Sequence, residues 1–150
     1  MSNMLSDIIA PTMVVDYSDP DNLPFRHSDF FNINPRIVPE HFPIMRTGKM
    51  ERQFRFLSME SVFTTQDARD DIEGRGRFCP DFAETVAFLH GHSELHPAVP
   101  LISFCGELHE QDGHQFIAYF QADANGWSLF FNWMHFKRRP GGRILVVEPF

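Results

Sequence analysis

The sequence predicts an α+β fold: an antiparallel, curved sheet of four or more strands, one or two helices packed on one of its faces, and an extended N-terminal arm. Three features carry this expectation. Residues 101–150 hold apolar runs separated by the turn signals Asp112-Gly113, Asn125-Gly126 and Pro140-Gly141-Gly142, the pattern of strands joined by hairpins. Residues 80–95 repeat apolar side chains at helical spacing. Residues 1–46 carry six of the eleven prolines, which argues against long helices and central strands there.

Taken in order, residues 1–46 are too apolar for a solvated tail, with Ile8, Ile9, Val14, Val15, Phe30, Phe31, Ile37 and Phe42 among the prolines. They read as an arm lying on its own domain or on a partner, and residues 47–150 as a single α+β domain. Lys49 to Thr64 alternates as a strand, with Phe54 and Phe56 on one parity and Leu57 and Met59 on the other. A helix over part of Met50 to Val62 is the alternative, since Met50, Phe54 and Leu57 also fit helical spacing. Thr64-x-x-Asp67 is a capping box that opens a short polar helix ending at Gly74-Arg-Gly76. That Gly-x-Gly lacks the third glycine and preceding strand of a dinucleotide site. In the helix of 80–95, Pro80 suits the first turn, Asp81 and Glu84 suit the positive end of the dipole, and Phe82, Val86 and Leu89 form the buried stripe.

Composition narrows the function classes. A chain of 150 residues with 43% hydrophobic content suits one core, and 17 phenylalanines supply rings for that core or for a binding groove. A net charge of −7 disfavours general nucleic-acid binding. Two cysteines, Cys79 and Cys105, make no disulfide framework and suit a reducing compartment. No apolar run approaches the ~20 residues of a membrane span, and the first residues lack the basic and apolar regions of a signal peptide. The expectation is a cytoplasmic protein with no cofactor.

Several constellations are candidates for chemistry. His90, His92 and His96 could converge on a metal if the helix continued, yet Gly91 and Pro97 make the segment a helix end, where histidines also serve the dipole. Glu107 and His109 share a strand face and could pair as general base and orienter, with His135 a further candidate. The segment Trp127 to Phe136 is apolar on both parities, so each face must be covered by the fold, a ligand or a partner. Trp127, Leu129, Phe131 and Trp133, with Phe116 and Phe120 on the preceding strand, are the expected interface or pocket. Lys137, Arg138, Arg139 and Arg143 form a basic patch suited to an acidic partner or a phosphate.

The runs Ile102-Ser-Phe-Cys-Gly-Glu-Leu108, Gln115-Phe-Ile-Ala-Tyr-Phe120 and Leu129-Phe-Phe-Asn-Trp-Met134 resemble the closing strands of the nuclear transport factor 2-like superfamily. The resemblance covers residues 101–136. It implies a curved sheet whose concave apolar face serves dimerisation, partner peptides or an enzyme pocket. The family's acidic residue after the strand asparagine would fall at Trp133, so a carboxylate is absent there, and the proline-rich opening differs from the family's long helices.

These readings favour a non-enzymatic interaction or regulatory protein, a homodimer or partner-binding subunit that uses the aromatic sheet face and the arm. The alternative is a small enzyme or ligand-binding protein with an aromatic pocket and a His/Glu acid–base or metal site.

Overall fold

The structure is a computed structural model that describes residues 4–22, 30–59, 61–91, 100–140 and 142–149. Its strands are β1 (Met4–Asp16), β2 (Phe30–Ile33), β3 (Lys49–Met59), β4 (Phe63–Thr64), β5 (Leu101–Ser103), β6 (Leu108–Gln111), β7 (His114–Asp123), β8 (Gly126–Trp133), β9 (Lys137–Arg138) and β10 (Arg143–Val147). The helices are α1 (Thr65–Gly74) and α2 (Phe82–Gly91). The main sheet runs β1-β3-β10-β5-β7-β8-β2, with β6 continuing β5 along β7, while β4 and β9 form a separate ribbon. Pairing is antiparallel except between β10 and β5 and between β2 and β8. No helix among the described residues is long and apolar enough to cross a membrane.

The α+β class and the antiparallel-dominated sheet are those expected. Three arrangements differ. First, the proline-rich segment does more than lie on a sheet face, where Ile37 and Phe42 are buried in the α2-side core: it also joins the sheet itself. It supplies β1 and β2, the strands at the two ends of the sheet order. Edge strands tolerate proline because one row of their amides is not needed by a neighbour, and Pro11 falls inside a register shift between Ile9 and Thr12. Second, Arg143–Val147 is no hairpin partner of the strand before Pro140. It inserts between β3 and β5. Third, the helices do not share a face. α2 packs with Phe54, Leu145, Val147, Phe120 and Leu129, whereas α1 packs with Leu57, Met59, Ile144, Val146 and Ile117. These sets alternate along the same strands, so one helix covers each face.

Local chemistry explains the elements that position the candidate site. Lys49–Met59 is a strand, and the helical alternative for it is not seen. Thr64 and Asp67 exchange bonds, Asp67 N–H to Thr64 Oγ1 at 3.0 Å and Thr64 N–H to Asp67 Oδ2 at 2.9 Å, and this capping box starts α1. α2 starts two residues later than the proline suggested. Asp81 and Glu84 form a second reciprocal box ahead of it, with Glu84 N–H to Asp81 Oδ1 at 2.7 Å and Asp81 N–H to Glu84 Oε1 at 2.8 Å. Pro80 therefore lies outside the cap. Phe88 is fully buried where the expected stripe had Leu89, because its ring packs on Phe54 and Phe56 of β3. The part of the expected helix beyond Gly91 lies outside the described residues.

The β6–β7 hairpin turns on Asp112-Gly113, with φ of +54° and +78°, the mirror-image turn that Asp-Gly favours. At the β7–β8 turn, Asn125 N–H donates to Asp123 Oδ1 at 2.9 Å. Between β5 and β6 the chain bulges: between the Ser103–Phe120 and Leu108–Ile117 pairs, five steps on one strand oppose three on β7. Gly106 sits in this bulge with its backbone against that of Ala118, and a Cβ there would fall on the Ala118 carbonyl oxygen.

Gly106→Ala is therefore expected to cost about 2 kcal/mol of unfolding free energy, because backbone must move on one side or the other. Gly74→Ala, whose Cβ would meet open space, should change stability by less than about 1 kcal/mol. Urea unfolding of both variants beside the wild type checks the contrast, and equal midpoints would show the approach at Gly106 to be slack.

Candidate functional site

On the α2 side, the paired residues of β7 and β8 run Ala122–Trp127, Phe120–Leu129, Ala118–Phe131 and Phe116–Trp133. Burial fades along this series. Phe120, Leu129 and Ala118 are fully buried, Phe131 and Phe116 are half-buried, and Trp133 is 45% exposed. At the covered end, Trp127 meets Phe30, Phe120 and His90 at centroid distances of 5.6, 5.4 and 5.2 Å. At the open end, Trp133 leans on Phe116 at 4.2 Å and stands edge-on to His114 at 4.8 Å, and Phe116 meets Phe131 at 5.8 Å. Of the residues expected at an interface, Phe120 and Leu129 belong to the core, Trp127 is half-covered, and Phe116, Phe131 and Trp133 come together where neither helix reaches.

Beside this cluster is a groove of about 540 Å³, walled by Phe116, Phe131 and Trp133 and rimmed by Asn34, Pro35, Arg36, Gln111, Asp112 and His114. The rim from the N-terminal segment is held by backbone: Asn34 N–H donates to the Leu129 carbonyl at 2.9 Å, and Arg36 N–H to Asn34 Oδ1 at 2.9 Å. A second recess of about 410 Å³, with Glu110, His135 and Phe136 in its wall, lies across the Trp133–His114 pair.

The histidines divide. His41 stands over Phe131 at 4.9 Å, and His109 lies 5.8 Å from His41 and 6.1 Å from Phe131. His41 Nδ1 accepts the Val38 N–H at 3.0 Å, and its carbonyl accepts the Glu107 N–H at 2.8 Å. Burial holds the His41 imidazole below its usual pKa, and the neighbouring His109 adds to this. His41 is thus a neutral strap between the N-terminal segment and the β5–β6 bulge. Glu107, His109 and His135 are exposed, His109 on β6 and His135 in the turn after β8. His90 closes the last turn of α2, while His92 and His96 lie outside the described residues. Among the described residues no three His, Cys, Asp or Glu side chains are grouped to hold a metal. Burial raises the thiol pKa of Cys79 to about 11 and of Cys105 to about 12, which leaves neither a thiolate nucleophile at neutral pH.

The basic residues also divide. Lys137 is exposed and Arg138 buried, as alternation on β9 requires, and Arg139 just beyond the strand is exposed. Arg143 opens β10, with its guanidinium 5.8 Å from the Phe56 ring centre.

Sequence reasoning missed a buried polar cluster. Glu84 Oε2 accepts the Tyr17 hydroxyl at 2.8 Å and ion-pairs with Arg52 Nε at 3.0 Å, and the Arg52 side chain is 4% exposed. The cluster ties the turn after β1 to β3 and α2. Its signal was a glutamate among the apolar residues Phe82, Ala83 and Val86, since a charge on a buried stripe requires a partner. Tyr17 is held protonated, its pKa raised by burial and by donation to Glu84. Asp81 is pushed up to about 7, first by burial and then by the Glu84 charge.

No family model, curated protein or solved structure matches the chain.

The Asp81 shift sets a pH dependence. The folded chain binds this proton more tightly than the unfolded chain, so stability falls as pH rises from the ordinary carboxylate range to about 7 and is flat above it. Asp81→Asn keeps the acceptor for Glu84 N–H and removes the charge. It is expected to flatten this slope and to raise stability at pH 8 by on the order of 1 kcal/mol. Urea titrations at pH 5 and pH 8 measure both effects, and a variant with the wild-type slope would assign the titration to another group.

Proposed function

We propose that the protein is a non-enzymatic adaptor or regulatory subunit that docks a protein partner, in the simplest case a second copy of itself, on the aromatic end of the sheet. The observation that carries this reading is Trp133, nearly half-exposed and leaning at 4.2 Å on Phe116 at the end of a face that is otherwise closed. Rigid aromatic side chains offer large contact area at small entropic cost, and such residues dominate the energy of interfaces. Arg36, Asp112 and Gln111 supply the polar rim that surrounds such a centre. The N-terminal segment takes part through Asn34–Arg36 and His41.

The groove of about 540 Å³ also falls in the size range of small-molecule sites, which favours an apolar ligand as the second reading.

Sedimentation across a concentration series separates the two. Under the first reading the wild type dimerises, and Trp133→Asp weakens the dimer by at least about tenfold, equivalent to ~1.4 kcal/mol, with an unchanged circular dichroism spectrum. A wild type that stays monomeric at high micromolar concentration would remove self-association and leave a different protein or a small ligand as the occupant.

A further inference from the structure

On the α1 side of the sheet lies another recess, of about 590 Å³, with Ile102, Tyr119 and Phe136 among its walls and Lys137, Arg138 and Arg139 along one side. Arg138 is only 7% exposed. Its Nε–H donates to Thr65 Oγ1 at 2.9 Å. Its guanidinium carbon lies 4.2 Å from the Tyr119 ring centre, 5.3 Å from Phe104 and 5.7 Å from Phe136. Nη2 has no hydrogen-bond partner, and among the described residues no carboxylate pairs with this side chain.

Among the other inward-turned arginines, Arg69 also keeps a buried Nη1 without a partner, and the rest hold carboxylates. Arg52 holds Glu84, and Arg55 and Arg77 both hold Glu148. A guanidinium withdrawn from water without an anion is costly, and ring faces offset only part of the cost. The chain has 20 acidic residues against 13 basic ones, so carboxylates are not scarce. Lys137 and Arg139, exposed on either side of Arg138, add two positive charges to the same rim.

We propose that this recess binds a small organic oxyanion, a phosphate or carboxylate head held by Arg138, Lys137 and Arg139 with an apolar or aromatic body laid on Tyr119, Phe136 and Ile102. The guanidinium fork suits either head. The volume is that of a small-molecule site. The site lies on the other face from the Phe116–Phe131 cluster and does not depend on the adaptor reading.

The test is a calorimetric titration of the full chain with phenyl phosphate, benzoate, inorganic phosphate and benzyl alcohol. One of the two aryl anions is expected to bind saturably, at least about tenfold more tightly than inorganic phosphate or benzyl alcohol, and the preferred head identifies the anion class. The paired substitution Lys137→Ser and Arg139→Ser, on exposed side chains, should weaken that binding by at least about tenfold while leaving the unfolding midpoint in place. Arg138→Met, which replaces the buried charge with an apolar chain of similar length, should abolish it. No saturable binding of either aryl anion, binding equalled by benzyl alcohol, or binding that survives the paired substitution would each overturn the proposal.

Discussion

Strand β10 holds the sheet together. On one side it pairs antiparallel with β3 over five residues, and on the other it runs parallel to β5. Without it, β1 and β3 would form one piece and β5, β7, β8 and β2 another. Ile144, Leu145, Val146 and Val147 are all fully buried, and each such side chain contributes about 2 kcal/mol by leaving water. Ile144 and Val146 point into the α1 core, Leu145 and Val147 into the α2 core. The strand is fixed at its far end as well. Phe78 and Val147 exchange backbone bonds at 3.0 and 2.9 Å, and Glu148 holds both Arg55 and Arg77. The connection between the two helices is therefore pinned to the strand that both helices cover.

This centre sets where the sheet is left open. β7 runs ten residues and β8 eight, whereas β5 runs three, so the hairpin extends beyond the strands that the helices cover. α2 packs near the Trp127 end, and among the described residues the other end is met by turns of the N-terminal segment. Phe116, Phe131 and Trp133 are left partly bare for this reason. The α1 face ends in the same way, with the β4–β9 ribbon standing beside the sheet and the Arg138 recess between them.

What was legible in the sequence was local. The Asp112-Gly113 turn needs two residues that accept positive φ, and the dipeptide states that requirement. The Thr64–Asp67 cap is written within four residues. The strand parities of Phe54 and Leu57, and of Phe131 and Phe130, also followed from side-chain alternation. Illegible were the choices made by partners far along the chain. Arg143–Val147 follows a proline-glycine turn and looks like one more hairpin, but its neighbours start at Lys49 and Leu101, and nothing in one arginine and four apolar residues selects them. The same holds for the helices. An apolar stripe requires a cover and does not say which sheet face supplies it. Arg138 was hidden by composition, because a run of three basic residues reads as solvated until alternation turns the middle one inward.

The two cores each carry an ionisable group that local pairing does not neutralise, and the two groups have different ways out. In the α2 core, Arg52 and Tyr17 already answer Glu84, and Asp81 is the surplus acid. A carboxyl can meet that situation alone by keeping its proton, which is the direction in which Asp81 is pushed. In the α1 core the surplus is a guanidinium, and a guanidinium stays charged at any physiological pH. Neutralisation by titration is closed to it. Three aromatic rings and one hydroxyl solvate part of the charge, and what is left falls to water or to an anion entering the recess. Since Arg138 borders a recess rather than a sealed core, such an anion has a route to it, and the same burial that makes the free charge costly makes its pairing strong.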